Sequence, residues 1–146
     1  MPNPQTRRRY RSESRAWSRQ KLVDERIRLG LDKGIEEFNE GAFFEAHDTL
    51  EDVWMDVRGE SRLFFQGLIQ LCIGYYHLTC ENFTGAQHLF GRGVSKLKVY
   101  EPGHAGVDLA SLLTEVRKTQ EAVKLKLAGE SHVPFWSLPK IKRSSV

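Results

Sequence analysis

The chain has 146 residues, of which 40% are hydrophobic and 28% are charged, a composition typical of one soluble globular domain. Its net charge of +3 is unevenly distributed: residues 1–20 carry +5, residues 137–146 carry +3, and the region between them therefore carries −5. Because a folded surface that binds nucleic acid is basic, this distribution argues against a nucleic-acid-binding core.

Helical periodicity governs the chain from about residue 20 onward, and no segment shows the alternation of a half-buried strand. The predicted helices cover approximately residues 20–39, 43–58, 61–81, 83–100 and 108–129. Gly41 and Gly129 are placed to end the first and fifth helices, and Asn82 is placed to cap the fourth. We therefore predict an all-α fold, a compact bundle of about five helices in one domain at 20–129.

The third predicted helix is apolar around almost its whole circumference. Its 18 residues between Arg62 and Glu81 are just long enough to cross a bilayer. Two glutamines and a histidine within it favour instead a helix at the centre of a soluble bundle, because polar groups are costly inside a membrane. We therefore expect no membrane span and a central position for this helix.

The two ends of the chain differ in composition from the helical body. Residues 1–19 are rich in arginine, and we expect a disordered or loosely held tail there rather than an arm that binds nucleic acid or lipid. Residues 130–146 include the apolar segment Phe135-Trp136-Ser137-Leu138, and we expect an extended C-terminal tail. The two cysteines, Cys72 and Cys80, and the lack of an apolar segment after the basic N-terminal stretch predict a reducing, cytoplasmic location without a secretory signal.

A histidine and a glutamate interrupt the apolar face of the second predicted helix. At 3.6 residues per turn, His47 and Glu51 lie one turn apart among aromatic and aliphatic residues. The residues of that face are Phe43, Phe44, Leu50 and Trp54. Since a buried carboxylate without a partner is strongly destabilising, we expect the fold to supply a cation, a donor network or a metal.

Polar residues also line one stripe of the third predicted helix. Gln70 follows Gln66 by four residues, and His77 follows Gln70 by seven, so all three lie on one face. Two helices joined by a short turn, here containing Gly59, pack antiparallel. The stripe can therefore face the His/Glu pair of the second helix, and the sequence predicts one polar site inside the protein.

Two imidazoles and a carboxylate form a plausible ligand set for a divalent metal, with positions left for water or substrate. In this hypothesis His47, Glu51 and His77 bind the metal, and Glu51 alternatively acts as a general base in a hydrolytic or ligand-binding site. The supporting residues are Trp54, Gln66 and Gln70, of which the glutamines orient the ligands.

The second interpretation is a non-catalytic helical interaction module. In that case the polar cluster is a buried hydrogen-bond network that sets the register of the helices. A partner would bind the Phe135-Trp136-Leu138 segment or an exposed apolar groove. A homodimer through the fourth or fifth helix is compatible with either interpretation. An open pocket that reaches His47 favours the metal site, and a sealed cluster favours the structural network.

Several spaced aromatic and polar motifs agree at once between about residues 25 and 100. These motifs are Phe38-Asn39-x-Gly41, Phe43-Phe44-Glu45-Ala46-His47, Leu50-Glu51-x-x-Trp54, Phe64-Phe65-Gln66-Gly67-Leu68-Ile69-Gln70 and Asn82-x-x-Gly85-Ala86. Together they resemble the family catalogued as domain of unknown function 309, whose signature corresponds here to His47, Glu51 and Trp54. The resemblance implies a small, all-helical, prokaryotic-type protein in which the signature has been suggested to bind metal, and it implies no assigned activity.

Overall fold

A computed structural model describes residues 3–131 and 137–144. Within these residues the α-helices are α1 (Pro4–Asn39), α2 (Phe43–Trp54), α3 (Arg62–Thr79), α4 (Phe83–Leu97) and α5 (Leu109–Leu127). Short 3₁₀ turns, Gly59–Ser61 and Lys98–Tyr100, precede α3 and follow α4. The two-residue strands β1 (Gly103–His104) and β2 (Val107–Asp108) pair as an antiparallel hairpin before α5. The all-α fold with about five helices is confirmed.

Helix α3 lies at the centre of the bundle, as its apolar sequence predicted. It packs against α2 on one side and α4 on the other, while α1 packs on α2 and α5 packs on α4. Its buried side chains include Phe64, Leu68, Leu71 and Tyr75, each at most 1% exposed. No helix within the described part of the chain has the length and apolarity needed to cross a bilayer.

Glycines allow α3 and α4 to approach closely. A Cβ atom placed on Gly67 would lie 2.6 Å from the Leu97 side chain, and one on Gly74 would lie 2.7 Å from the Phe90 ring. Real Cβ atoms essentially never make contacts this short, so both positions require glycine for the observed packing. This close approach sets which face of α3 meets α4.

Helix α1 begins at Pro4, whereas the periodicity predicted a start near residue 20. Residues before 20 lack the spaced apolar residues that signal contact with a core, but proline suits the first position of a helix, and arginine and glutamine are good helix formers. Every described side chain from 15 to 20 is exposed, so this part of α1 lies outside the core. The division into an N-terminal tail, a helical domain and a C-terminal tail stays a prediction.

The described C-terminal residues 137–144 return to the end of α1. The Asn39 side chain donates to the carbonyl of Ile141 at 3.0 Å and accepts from its N–H at 2.7 Å. Arg143 forms a β-bridge with Val107 and an ion pair with Asp32. Phe135 and Trp136, which the sequence suggested as a partner surface, lie outside the described residues.

Candidate functional site

The orientation of α2 places the His/Glu pair at the edge of its buried face. The buried residues of α2 are Phe43, Ala46, Leu50 and Val53. The His47 side chain is 19% exposed and that of Glu51 is 55% exposed. The expected interior carboxylate is therefore found at the surface, because the buried stripe is centred on the alanine and leucine rather than on the pair.

His47 and Glu51 form a close pair one helical turn apart. The ring nitrogen Nε2 of His47 lies 2.9 Å from Oε2 of Glu51, and Nδ1 lies 3.2 Å from the carbonyl oxygen of Phe44. Both ring nitrogens therefore face oxygen acceptors. Because a neutral imidazole donates from only one nitrogen, the arrangement is satisfied by a protonated ring or by a cation between Nε2 and Oε2.

Aromatic rings adjoin this pair on the open side of α2 and α3. The Phe44 ring lies 5.4 Å from the imidazole of His47 and 5.4 Å from the ring of Tyr76. Phe44 is 51% exposed and Tyr76 is 39% exposed. The sequence predicted Phe44 on the apolar face, but the direction of α2 leaves half of its surface exposed. The result is an aromatic surface beside an ionisable pair.

Trp54 lies at the other end of the same edge of α2. The guanidinium of Arg62 lies over its ring, 4.1 Å from the centroid, and donates to the Trp54 carbonyl at 3.2 Å. The indole Nε1 is buried and has no hydrogen-bond partner within the described residues. Since Phe44 contacts Tyr76 near the end of α3 and Trp54 contacts Arg62 at its start, the His/Glu pair lies between these contacts, alongside the middle of α3.

In the polar stripe of α3, Gln70 contacts α4 rather than the His47–Glu51 pair. The side-chain oxygen of Gln70 accepts from Nζ of Lys96 on α4 at 3.0 Å, and Gln66 is partly buried. Gly67 and Gly74 bring α4 against one side of α3. Gln70 lies about one turn after Gly67 and therefore contacts α4. Periodicity places residues on one face of a helix but does not say which neighbour that face meets.

His77 is also separate from His47 and Glu51. Its Nδ1 lies 3.2 Å from Nδ2 of Asn82, the residue that caps α4. Across the described ranges, no group of three or more His, Cys, Asp or Glu side chains is placed to hold a metal ion. The structure therefore brings together two of the three predicted metal ligands.

Arg62 and Lys96 contact predicted site residues but were not themselves predicted. A local pattern could have indicated Arg62, because a long cationic side chain at the start of α3 can reach back to the end of α2. No local pattern indicates the contact of Lys96 with Gln70, because 26 positions in the sequence separate them.

Comparison with known proteins agrees with the motifs. Residues 31–89, which include the whole α2 edge, match the family described as "Domain of unknown function (DUF309)". The chain is also similar to "Uncharacterized protein YpuF" of Bacillus subtilis (strain 168), with 27% identity over 92 residues. That similarity covers 61% of this chain and 53% of the relative, so the chain spans about half the length of that protein. The family resemblance is thereby confirmed over this part of the chain: residues 31–89 match the model of the domain of unknown function 309 family.

Proposed function

We propose that this protein is a helical interaction module that binds a partner protein along the α2–α3 edge, defined as Phe44, His47, Glu51 and Tyr76. The observation that carries the proposal is the pair Phe44–Tyr76, whose rings lie 5.4 Å apart while each is more than a third exposed. Adjacent exposed aromatic rings favour binding, because they bury a large apolar area with few rotatable bonds.

The spacing along α2 supports a helical partner. Phe44, Glu51 and Met55 are separated by seven and four residues and lie on one face of the helix, and Met55 is 64% exposed. The distance from the first to the last along the axis is about 16 Å, or roughly three turns. A partner helix with apolar residues about three turns apart and a basic residue between them complements this order of apolar, acidic and apolar groups.

Peptides selected from a display library on the immobilised full-length protein test this proposal. We expect the selected peptides to bind Phe44→Gln and Tyr76→Gln at least about tenfold more weakly than wild type, because both variants remove a central aromatic anchor. The matched control is Leu127→Gln on α5, which changes another half-exposed apolar residue (48% exposed) away from α2. Equal binding to wild type and to both edge variants would refute the proposed surface.

A divalent metal ion is a second candidate ligand for the same edge. The Nδ1 of His47 faces the Phe44 carbonyl, which leaves Nε2 directed at Glu51, and metal-bound histidines commonly donate their other nitrogen to a backbone carbonyl. Two ligand atoms about 2.1 Å from one ion at a right angle lie about 3 Å apart. The observed separation of 2.9 Å fits that geometry. Water, a substrate or the partner would fill the other positions, and in a hydrolytic reaction Glu51 would be a ligand or the general base.

Elemental analysis of protein purified without a His tag tests the metal. The comparison is wild type with His47→Ala, and His88→Ala on the exposed side of α4 is the matched control. A metal site predicts about one ion per chain in wild type and in the control, and loss of the ion in His47→Ala. Absence of metal from all three proteins after loading with Zn²⁺ and Mn²⁺ would eliminate this candidate.

A further inference from the structure

A cleft of about 420 Å³ lies between α1, the turn before α3 and the C-terminal segment, apart from the α2–α3 edge. Its apolar wall includes Ile27, Leu31 and Phe65, and its rim carries charged residues of both signs. Two of these, Asp56 and Arg143, are already in ion pairs with partners on α1. The cleft therefore favours an uncharged ligand with an apolar part, and its volume falls in the range of small-molecule sites, roughly 300–1,000 Å³.

Ser61 lines this cleft and is paired with a histidine. Its Oγ lies 2.9 Å from Nε2 of His104, which follows it by 43 residues. The imidazole packs against two rings, 4.8 Å from that of Phe64 and 4.7 Å from that of Tyr100. The Tyr100 hydroxyl donates to the carbonyl of Glu60, which fixes that ring in turn. Residues from α3, the second 3₁₀ turn and the hairpin thus hold the histidine against the serine.

The hydroxyl of Ser61 is not used to cap a helix. Ser61 occupies the N-cap of α3, where a serine usually accepts a hydrogen bond from an N–H of the first turn. The side chain makes no such bond, and its oxygen is instead paired with His104. The usual cap interaction is therefore replaced by a contact between a potential nucleophile and a potential base.

We propose that Ser61 and His104 form a nucleophile–base pair that hydrolyses small, uncharged acyl esters in this cleft. As Oγ attacks the ester carbonyl carbon, Nε2 of His104 takes the hydroxyl proton, and it returns that proton to the alkoxide when the bond to the leaving group breaks. His104 then takes a proton from water, and the water oxygen attacks the acyl carbon. The bond from that carbon to Oγ breaks, Oγ regains the proton from His104, and a carboxylic acid is released.

The lining of the cleft supplies the other requirements of acyl transfer. The acyl chain would lie on the wall formed by Ile27, Leu31 and Phe65. Arg58 also lines the cleft, and its guanidinium is held by donation to the carbonyls of Met55 and Val57 at 2.8 and 3.1 Å. A fixed cation beside the reacting carbonyl would stabilise the negative charge that develops on its oxygen.

An alkyl fluorophosphonate reports the activated serine directly. In this reaction the Oγ–phosphorus bond forms, the phosphorus–fluorine bond breaks, His104 receives the hydroxyl proton and fluoride leaves. We expect mass spectrometry of the full chain to show one modification, mapped to Ser61, at a rate at least about 100-fold above the background labelling of Ser61→Ala. The control Ser95→Ala, which changes an exposed serine on α4, should be labelled like wild type.

The variant His104→Gln separates a base from a structural contact, because glutamine can hydrogen-bond to Ser61 but cannot accept its proton. We expect a loss of about 100-fold or more in labelling and in hydrolysis of p-nitrophenyl butyrate, with the circular dichroism spectrum unchanged. Labelling of wild type no faster than Ser61→Ala overturns the proposal, and so does undiminished labelling of folded His104→Gln. The comparison of wild type with Ser61→Ala decides the outcome even if His104→Gln is unstable.

Discussion

Burial determines how readily the ionisable side chains on and near α3 give up a proton and react. Cys72 is completely buried, and desolvation raises the pKa of its thiol, whereas Cys80 is exposed. Burial also raises the pKa of the Tyr75 phenol, which lies 3.3 Å from the hydroxyl of the buried Thr119. The His47–Glu51 pair, in contrast, is open to solvent at Glu51. Reactivity therefore differs between side chains that face the core and side chains that face solvent.

The two cysteines should react very differently with a thiol reagent such as 5,5′-dithiobis(2-nitrobenzoate). We expect Cys80 to react in the native protein and Cys72 to react only after unfolding, because the thiolate is the reactive form and burial both disfavours it and blocks access. Release of chromophore before and after adding guanidinium chloride measures this. The control Cys80→Ser should show almost no native reaction, and rapid native reaction of that variant would contradict the predicted burial.

The substitution Glu51→Gln should have little effect on stability. Its carboxylate is 55% exposed, so the substitution removes a solvent-exposed partner of His47 rather than a buried charge. We expect the free energy of unfolding to change by less than about 1 kcal/mol in urea melts. If Glu51 instead holds a cation, Glu51→Gln should lose about 3 kcal/mol relative to wild type. Chelator should then destabilise the wild type and abolish that difference.

Tyr75 should make stability depend on alkaline pH. Its pKa is raised in the folded state, so the phenol is neutral there at pH values where the unfolded chain ionises it. The stabilisation from the neutral phenol is complete below about pH 10 and is lost as pH rises above that value.

Denaturant melts of wild type and Tyr75→Phe measure this difference. The variant should be less stable by about 1 kcal/mol at neutral pH, through loss of the Thr119 contact, and should lose less stability above pH 10. If the free energy of unfolding fell equally with pH in both proteins, the raised pKa of Tyr75 would be contradicted.

At the level of helices, local signals located the caps and ends well. Asn82 caps α4, as predicted, and its side chain accepts from the N–H of Gly85 at 3.0 Å. Gly41 and Gly129 follow α1 and α5 with φ values of +79° and +77°, the left-handed conformation that glycine adopts most easily. The start of α1 was missed because helix propensity without an apolar stripe carries no signal of packing.

Two glycines of α4 distinguish close packing from intrinsic helix propensity. A Cβ atom on Gly93 would lie 2.8 Å from the Leu71 side chain and 3.1 Å from the carbonyl oxygen of Gly67, whereas one on Gly91 would meet nothing within 4 Å. We expect Gly93→Ala to destabilise the protein by about 1–3 kcal/mol through overpacking. Gly91→Ala, its matched control, should stabilise by about 0.5–1 kcal/mol, because alanine favours the helix. Thermal melts that rank the two variants in the opposite order would contradict the α3–α4 packing.

At the scale of the whole molecule, the C-terminal segment joins parts of the chain that are far apart in sequence. Ile141 is 4% exposed, and the paired hydrogen bonds with Asn39 link residues 102 positions apart. The β1–β2 hairpin also contacts the C-terminal segment, through the β-bridge between Val107 and Arg143. The cytoplasmic location and the homodimer stay predictions at this scale.

This arrangement predicts a measurable contribution of the C-terminal segment to stability. Asn39→Asp keeps an acceptor for the Ile141 N–H but places a carboxylate against the Ile141 carbonyl, and we expect a loss of about 1–3 kcal/mol. Ile141→Ala should cost about 2–4 kcal/mol, since it removes a buried side chain. The control Lys140→Ala, at the exposed neighbouring position, should be near neutral in urea melts. Equal stability of all three variants would show that the segment is not docked in solution.

Local patterns were sufficient to predict the caps, the number of helices in the core, the central place of α3 and the family resemblance, because each can be read from residue types and their spacing along the chain. They also paired His47 with Glu51, which are one turn apart. Three-dimensional packing sets the rest. It turns Glu51 to solvent, directs Gln70 to Lys96 and pairs Ser61 with His104. These outcomes depend on the rotation of each helix against its neighbours, and the glycines and crossing geometry that set this rotation act between residues tens of positions apart.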